Sequence, residues 1–211
     1  MTLSFESALP PDKTELKTPL RVNLYGGPGA GKSTIAHKLI VIFKENGINA
    51  ELVPEHIKPQ AYKNIPVKTL SEQLALQMKQ HESEQVWFDA GIDVLVCESP
   101  ILLNVFYGHL LFKQISKEFC KDRQSKTLAT SGILEDLVAY RTAFTMYDIH
   151  EEMYPCLDYY LARDDAMYST EGRFQTLEQA KEIDTKLKQF MMDCMEPWAT
   201  VIEVAKYDQI I

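Results

Sequence analysis

The sequence predicts an α/β fold built on a parallel sheet. Short apolar runs rich in strand formers alternate with helical stretches from Leu20 onward. A glycine-rich turn, GGPGAGKS at Gly26–Ser33, joins the first such run to the first helix. The third run, Val94–Cys97, is apolar throughout, as a strand buried on both faces should be.

Taken in order, Leu20 to Tyr25 reads as the first strand, and Ile35, Leu39, Ile42 and Phe43 recur at helical spacing until Gly47 stops the helix. Ala50 to Val53 reads as a second strand that ends at Pro54 and delivers Glu55 to its carboxyl end. Thr69 and Glu72 have the spacing of a capping box and open a helix from Leu70 to about Ala90. After Val94–Cys97 come helical stretches from Ile101 to Phe119 and from about Gly132 to Glu151. Pro155 introduces a fourth strand, Leu157 to Ala162, and a polar segment from Arg163 to Gln175 follows it. Thr176 and Gln179 form a second capping box, and the helix they open carries Leu177, Ala180, Ile183, Leu187, Phe190, Met191 and Cys194 on one side. Thr200 to Val204 supplies the last strand.

With 211 residues, 45% apolar and 25% charged, the chain suits one globular domain, 20–211, behind a loose leader, 1–19. The leader lacks the basic start and apolar core of a signal peptide, and no apolar run is long enough to span a membrane, so a cytosolic protein is expected. Cys97, Cys120, Cys156 and Cys194 are widely spaced and read as reduced, mostly buried thiols. His37, His56, His81, His109 and His150 show no metal-ligand spacing. A formal charge of −8 argues against a broad duplex-DNA surface. A local basic track remains: Lys113, Lys117 and Lys121 recur every four residues, with Arg123 and Lys126 beyond. That pattern suits a phosphate backbone or, with Glu118 and Asp122 interleaved, a solvated helix face.

Gly26–Ser33 fits G-x-x-x-x-G-K-[ST], a phosphate-binding loop, in the strand–loop–helix context its mechanism requires. Gly27, Gly29, Ala30, Gly31, Lys32, Ser33 and Thr34 are the expected nucleotide contacts. Lys32 would reach the β- and γ-phosphates and the Ser33 hydroxyl would ligate Mg²⁺. In a parallel sheet ligands sit beyond the carboxyl ends of the strands, so Glu55, the segment after Cys97 and Arg163 should converge on the loop. Glu98 stands where a carboxylate would hold magnesium or its water shell. Glu55 is a candidate for the base that takes a proton from an acceptor hydroxyl, and a plain loop carboxylate is the other reading. Arg163 and Arg173 bracket a polar stretch, about 163–175, that would fold over nucleotide as a lid and spread its charge over a transferring phosphoryl group. Gln73 and Gln77, one helical turn apart, are candidates to meet a base edge or else face solvent. His56, beside Glu55, is a candidate substrate contact.

GGPGAGKST, ELVPEH, SEQLALQ, VCESPILLNVFY and YYLARDDAMYSTEGRFQT together resemble a family of phage-borne P-loop kinases, often labelled ATPases or AAA-type proteins. These are similar to nicotinamide riboside kinases and more distantly to deoxynucleoside kinases, and they include kinases of 5-hydroxymethyluracil in phage DNA. The resemblance covers roughly Arg21 to Met191. It implies a P-loop NTPase three-layer sandwich around a parallel five-stranded sheet in the order 2-3-1-4-5, with a lid, using ATP and Mg²⁺. By position it implies Glu55 as base and adds Tyr107 to the acceptor contacts. The chain departs from the family pattern at Glu98, where an aspartate is common, and at His56, where a tyrosine is common.

Two functions follow as expectations. One is transfer of the ATP γ-phosphate to a hydroxyl of a nucleoside- or nucleotide-type acceptor, either free or as 5-hydroxymethyluracil within DNA. The other is a nucleotide-responsive binding module, although no N-K-x-D sequence of a GTPase switch occurs. Oligomeric state stays open.

Overall fold

The computed structural model describes residues 19–121, 129–194 and 201–204. The elements run β1 (Leu20–Tyr25), α1 (Lys32–Glu45), β2 (Ala50–Val53), α2 (Lys58–Tyr62), α3 (Leu70–Asp89), β3 (Val94–Cys97), α4 (Ile101–Lys121), α5 (Ala129–Met153), β4 (Cys156–Leu161), α6 (Leu177–Cys194) and β5 (Val201–Val204). A single 3₁₀ turn at Asp165–Met167 lies between β4 and α6. The leader up to residue 18, and with it Arg123, Lys126 and Thr200, falls outside the described residues.

Strands pair in parallel in the order β2-β3-β1-β4-β5, as expected. β1 is buried along its whole length, and its side chains alternate between two layers. Leu20, Val22 and Leu24 pack with Ile35, Ala36, Leu39 and Phe43 of α1. Tyr25 joins the opposite layer, where α4, α5 and α6 supply Phe106, Tyr147, Leu187 and Phe190. Leu95 and Cys97 of β3 meet Phe88 of α3 in a third cluster.

The register explains where a site can form. Asn23 pairs with Cys97, and Cys97 with Val53, so β2 and β3 end level with each other while β1 runs on for two residues, Leu24 and Tyr25, before the loop. Connections leave β1 in opposite senses on its two sides, which opens a crevice above its carboxyl end. Residues 26–33, Glu55, Glu98 and Arg163 all follow directly from strand ends around that crevice.

Both capping boxes form. Thr69 Oγ1 accepts from the Glu72 N–H while the Glu72 carboxylate accepts from the Thr69 N–H. Thr176 and Gln179 make the same reciprocal pair. Some boundaries differ from expectation. α2 was not legible because five residues are too few to show a period, although Lys58-Pro59 gives it a proline in its first turn. α5 starts at Ala129 and runs through Gly132, since one internal glycine costs a helix only about 1 kcal/mol. β4 begins at Cys156, a residue early, because Cys156 pairs with Arg21 and the Pro155 carbonyl accepts the Arg21 N–H. Cys97 is buried, whereas Cys156 and Cys194 are only half-buried.

One polar pair crosses the layers. Arg21 is wholly buried in β1, and its Nη1 lies 3.9 Å from Glu84 Oε2 on α3. Glu84 Oε1 also accepts from Gln80, and Arg21 Nη2 donates to the Tyr154 carbonyl. Breaking a buried pair on one side leaves an uncompensated charge. Glu84→Ala should therefore lower unfolding free energy by about 3 kcal/mol in urea titration; a loss below about 1 kcal/mol would show that the pair does not tie α3 to the sheet.

Candidate functional site

The loop after β1 is shaped around a buried cation. Gly31 has φ 87° and precedes the first helical residue, Lys32, so the chain turns through the left-handed region as α1 begins. The Lys32 side chain folds back into the loop, and Nζ donates to the carbonyls of Gly26 at 2.8 Å and Gly27 at 3.2 Å. Lys32 is only 6% exposed. Burial lowers its pKa from the ordinary lysine value, and the Glu55 and Glu98 charges oppose that shift.

A second set of contacts grips the loop from outside. Asp184, on α6, accepts the Gly27 N–H at 2.8 Å through Oδ1 and pairs through Oδ2 with Arg163 Nε at 2.7 Å. Tyr160 OH also donates to this carboxylate. The Arg163 guanidinium donates to the Pro28 carbonyl and lies over the Tyr168 ring, 5.4 Å from its centroid. Tyr168 in turn stands against Gly29, where a Cβ would meet its ring at 2.8 Å and where φ is 79°. Arg163 is thus bound to the backbone of the loop, with its side chain 4% exposed, and does not line the cleft. Arg173 does line it. Its Nη1 donates to the Gly172 carbonyl, and its buried Nε has no hydrogen-bond partner.

The cleft has a volume of about 270 Å³. One wall is the loop from Pro28 to Ser33, and Glu55, Lys58, Gly172 and Arg173 also line the cleft. Near Ser33 a compact oxygen cluster forms: Glu98 Oε2 accepts from the Ser33 hydroxyl at 3.1 Å and from the Glu55 N–H at 3.4 Å. Glu98 is 2% exposed. Lys58 Nζ donates to Ser33 Oγ at 2.9 Å. His37 Nδ1 lies 2.7 Å from the Ser33 carbonyl. Among the described residues no group of three His, Cys, Asp or Glu side chains is placed to hold a metal.

The far wall is formed by Gln73, Leu76, Asn104 and Tyr107. Gln73 Nε2 donates to the Asn104 carbonyl at 3.1 Å and reaches Asn104 Oδ1 at 3.4 Å. Burial raises the Tyr107 pKa well above the ordinary phenol value, and the Glu55 charge adds to the rise. Glu55 and Arg173 line the same cleft as Lys32 and Tyr107.

Other expected residues sit elsewhere. Gln77 is 1% exposed and donates to the Ala143 carbonyl of α5 at 2.8 Å, because α5 crosses α3 one turn beyond Gln73 and closes the cleft there. His56 turns to α3, with Nε2 3.0 Å from Ser83 Oγ, and burial together with Lys79 lowers its pKa. Thr34 is exposed and outside the cleft lining, and the Gly27 N–H is committed to Asp184. Lys58, Asn104, Tyr168 and Asp184 went unread in the sequence. Asp184 lies on the polar side of α6 by period, and nothing local marks it; Lys58 follows Glu55 within one turn, which was a usable signal.

The Asp184 hydrogen bond to Gly27 is charge-assisted and fixes the outer side of the loop. Asp184→Ala should weaken ATP binding in calorimetric titration by about tenfold, with the protein still folded; unchanged affinity would mean that the loop keeps its shape without this contact.

Among curated proteins none matches the chain. Solved structures similar to it include the deoxyadenosine kinase from M. mycoides with products dCMP and a flexible dCDP bound, at 16% identity, covering 90% of this chain and 94% of that one with a TM-score of 0.49. The same enzyme with bound dATP gives 16% identity, the same coverage and a TM-score of 0.48. With bound dCTP it gives 15% and 0.49 over the same 90% and 94%. A family model described as an AAA domain matches residues 21–206. That span takes in the phosphate loop, the parallel sheet and the cleft, and the chain belongs to the AAA domain family.

Proposed function

We propose that the protein transfers the γ-phosphate of ATP to a hydroxyl of a nucleoside- or nucleotide-type acceptor. The observation that supports this reading is that Glu55 and Arg173 line one cleft together with Lys32 of the loop and with Gln73, Asn104 and Tyr107. A site for hydrolysis or mere occupancy has no use for the far wall.

Lys32 would exchange the loop carbonyls for β- and γ-phosphate oxygens, so the ammonium is already desolvated and in place before nucleotide arrives. Ser33 Oγ and the Glu98 carboxylate are hard oxygen donors 3.1 Å apart, which suits Mg²⁺, an ion that needs one or two protein ligands beside phosphates and water. When bound, the ion neutralises charge on the phosphate oxygens. Glu55 accepts the proton of the acceptor hydroxyl as its oxygen bonds to the γ-phosphorus; the bond to the β–γ bridging oxygen breaks and ADP leaves. The Arg173 guanidinium offsets the charge spread over the transferring group. Gln73 and Asn104 offer amide donors and acceptors to a base, and Tyr107 OH, kept neutral by burial, offers a donor to the sugar.

A free acceptor fits better than one within DNA such as 5-hydroxymethyluracil. At about 100° per residue, Asn104, Tyr107 and Leu111 share the cleft face of α4, while Lys113 and Lys117 fall about 110–150° away from it. A strand bound along those lysines would leave the cleft behind it. Lys121 continues the same helix, and Arg123 and Lys126 lie outside the described residues.

Labelled ATP offered with deoxynucleosides, mononucleotides and 5-hydroxymethyluracil DNA should pass label to one of the first two classes. Phosphate release with no labelled acceptor would favour a nucleotide-responsive module, and salt-sensitive labelling of DNA would restore the DNA reading. Glu55→Gln should lower turnover by about 10²–10⁴-fold with ATP affinity nearly unchanged; equal loss of both would remove Glu55 as base.

A further inference from the structure

Lys58 has no place in the mechanism above, yet it touches the residue on which metal binding depends. Ser33 Oγ is bound on two sides: its hydroxyl donates to Glu98 Oε2 at 3.1 Å, and it accepts from Lys58 Nζ at 2.9 Å. An ammonium and a divalent cation seek the same thing from that oxygen, its lone pairs. Both also gain from the Glu98 carboxylate behind it. Lys58 holds one of the two Ser33 lone pairs, and its ammonium repels a second cation at the same oxygen, so a metal that takes Ser33 competes with the lysine for that seat.

The geometry of α2 makes this contact more than a wandering surface lysine. Lys58 is the first residue of α2 and lines the cleft, as do Ile57 and Ala61. At the other end of α2, Tyr62 packs on the segment after β4: a Cβ at Gly172 would meet its ring at 2.5 Å, and Gly172 precedes Arg173. The short helix therefore spans from Ser33, through Lys58, to Gly172, through Tyr62.

We propose that Lys58 is a built-in counter-cation of the metal seat, holding Ser33 and offsetting Glu98 until a metal–nucleotide complex displaces it. The inference rests on the phosphotransfer reading only for the nature of the ligand. It makes Lys58 a positioning residue that sets how strongly nucleotide binding depends on metal. With the ammonium in place, metal-free nucleotide meets a neutralised seat. Without it, the phosphates face Glu98 and Glu55 unscreened, and a divalent ion finds Ser33 open.

The test is calorimetric titration of ADP into wild type, Lys58→Gln and Lys58→Arg, each with Mg²⁺ and again with EDTA. Removing the charge should weaken metal-free binding and preserve or tighten binding with Mg²⁺, so the ratio of the two affinities rises by about fivefold over wild type. Lys58→Arg keeps a cationic donor and should hold the ratio near that of wild type. A ratio in Lys58→Gln equal to or below that of wild type overturns the inference. If wild type binds ADP and labels an acceptor while that ratio stays flat, Lys58 alone is misassigned; if wild type binds no ADP under either condition, the phosphotransfer reading falls and this inference with it.

Discussion

A lysine ammonium removed from water must find oxygen atoms, and at Lys32 the phosphate loop itself supplies them. The two carbonyls that bind Nζ are those of Gly26 and Gly27, so the cation and the loop define each other's shape. Every other part of the site bears on that arrangement. Asp184 fixes Gly27 from outside, Arg163 fixes Pro28, and Tyr168 closes against Gly29. The parallel register then brings Glu55 and Glu98 level with the loop, close enough that their charges support Lys32 against the cost of burial.

The two arginines after β4 divide into different roles. Arg163 is spent on structure: its guanidinium is paired with Asp184 and with loop backbone, and it is not among the residues that line the cleft. The Arg173 side chain is held more lightly: Nη1 donates to the Gly172 carbonyl, and the buried Nε has no hydrogen-bond partner. A donor in that condition is costly unless a group in the cleft satisfies it, which favours Arg173 over Arg163 for the proposed role at a transferring phosphoryl group. The segment between them carries a 3₁₀ turn and the Tyr168 contact, so it is anchored at its start and meets the cleft only at its end.

Much of this was legible in the sequence. Alternating strands and helices, two capping boxes and the GGPGAGKS turn were enough for the sheet, the helix starts and the loop, because each rests on local chemistry or a short period. Glu55 and Glu98 could be read because strand ends in a parallel sheet share one edge. What the sequence could not show is which face of a helix another helix covers. Gln73 and Gln77 share a face of α3, yet α5 buries the second, and only tertiary packing decides that. The pairing of Arg163 could not be read for a related reason, since its partner Asp184 lies on a distant helix with no marking pattern. Lys58 escaped because α2 is too short to announce itself.

The central claim is that the cleft gathers a phosphate grip, a base and a guanidinium around one point. A crystal structure with ADP, aluminium fluoride and a deoxynucleoside tests it most directly. The planar fluoride should lie within about 3 Å of Lys32 Nζ and the Arg173 guanidinium, with the Glu55 carboxylate on the acceptor hydroxyl. A nucleotide bound elsewhere, or a fluoride seated on the loop with Glu55 turned away from the acceptor, would contradict it.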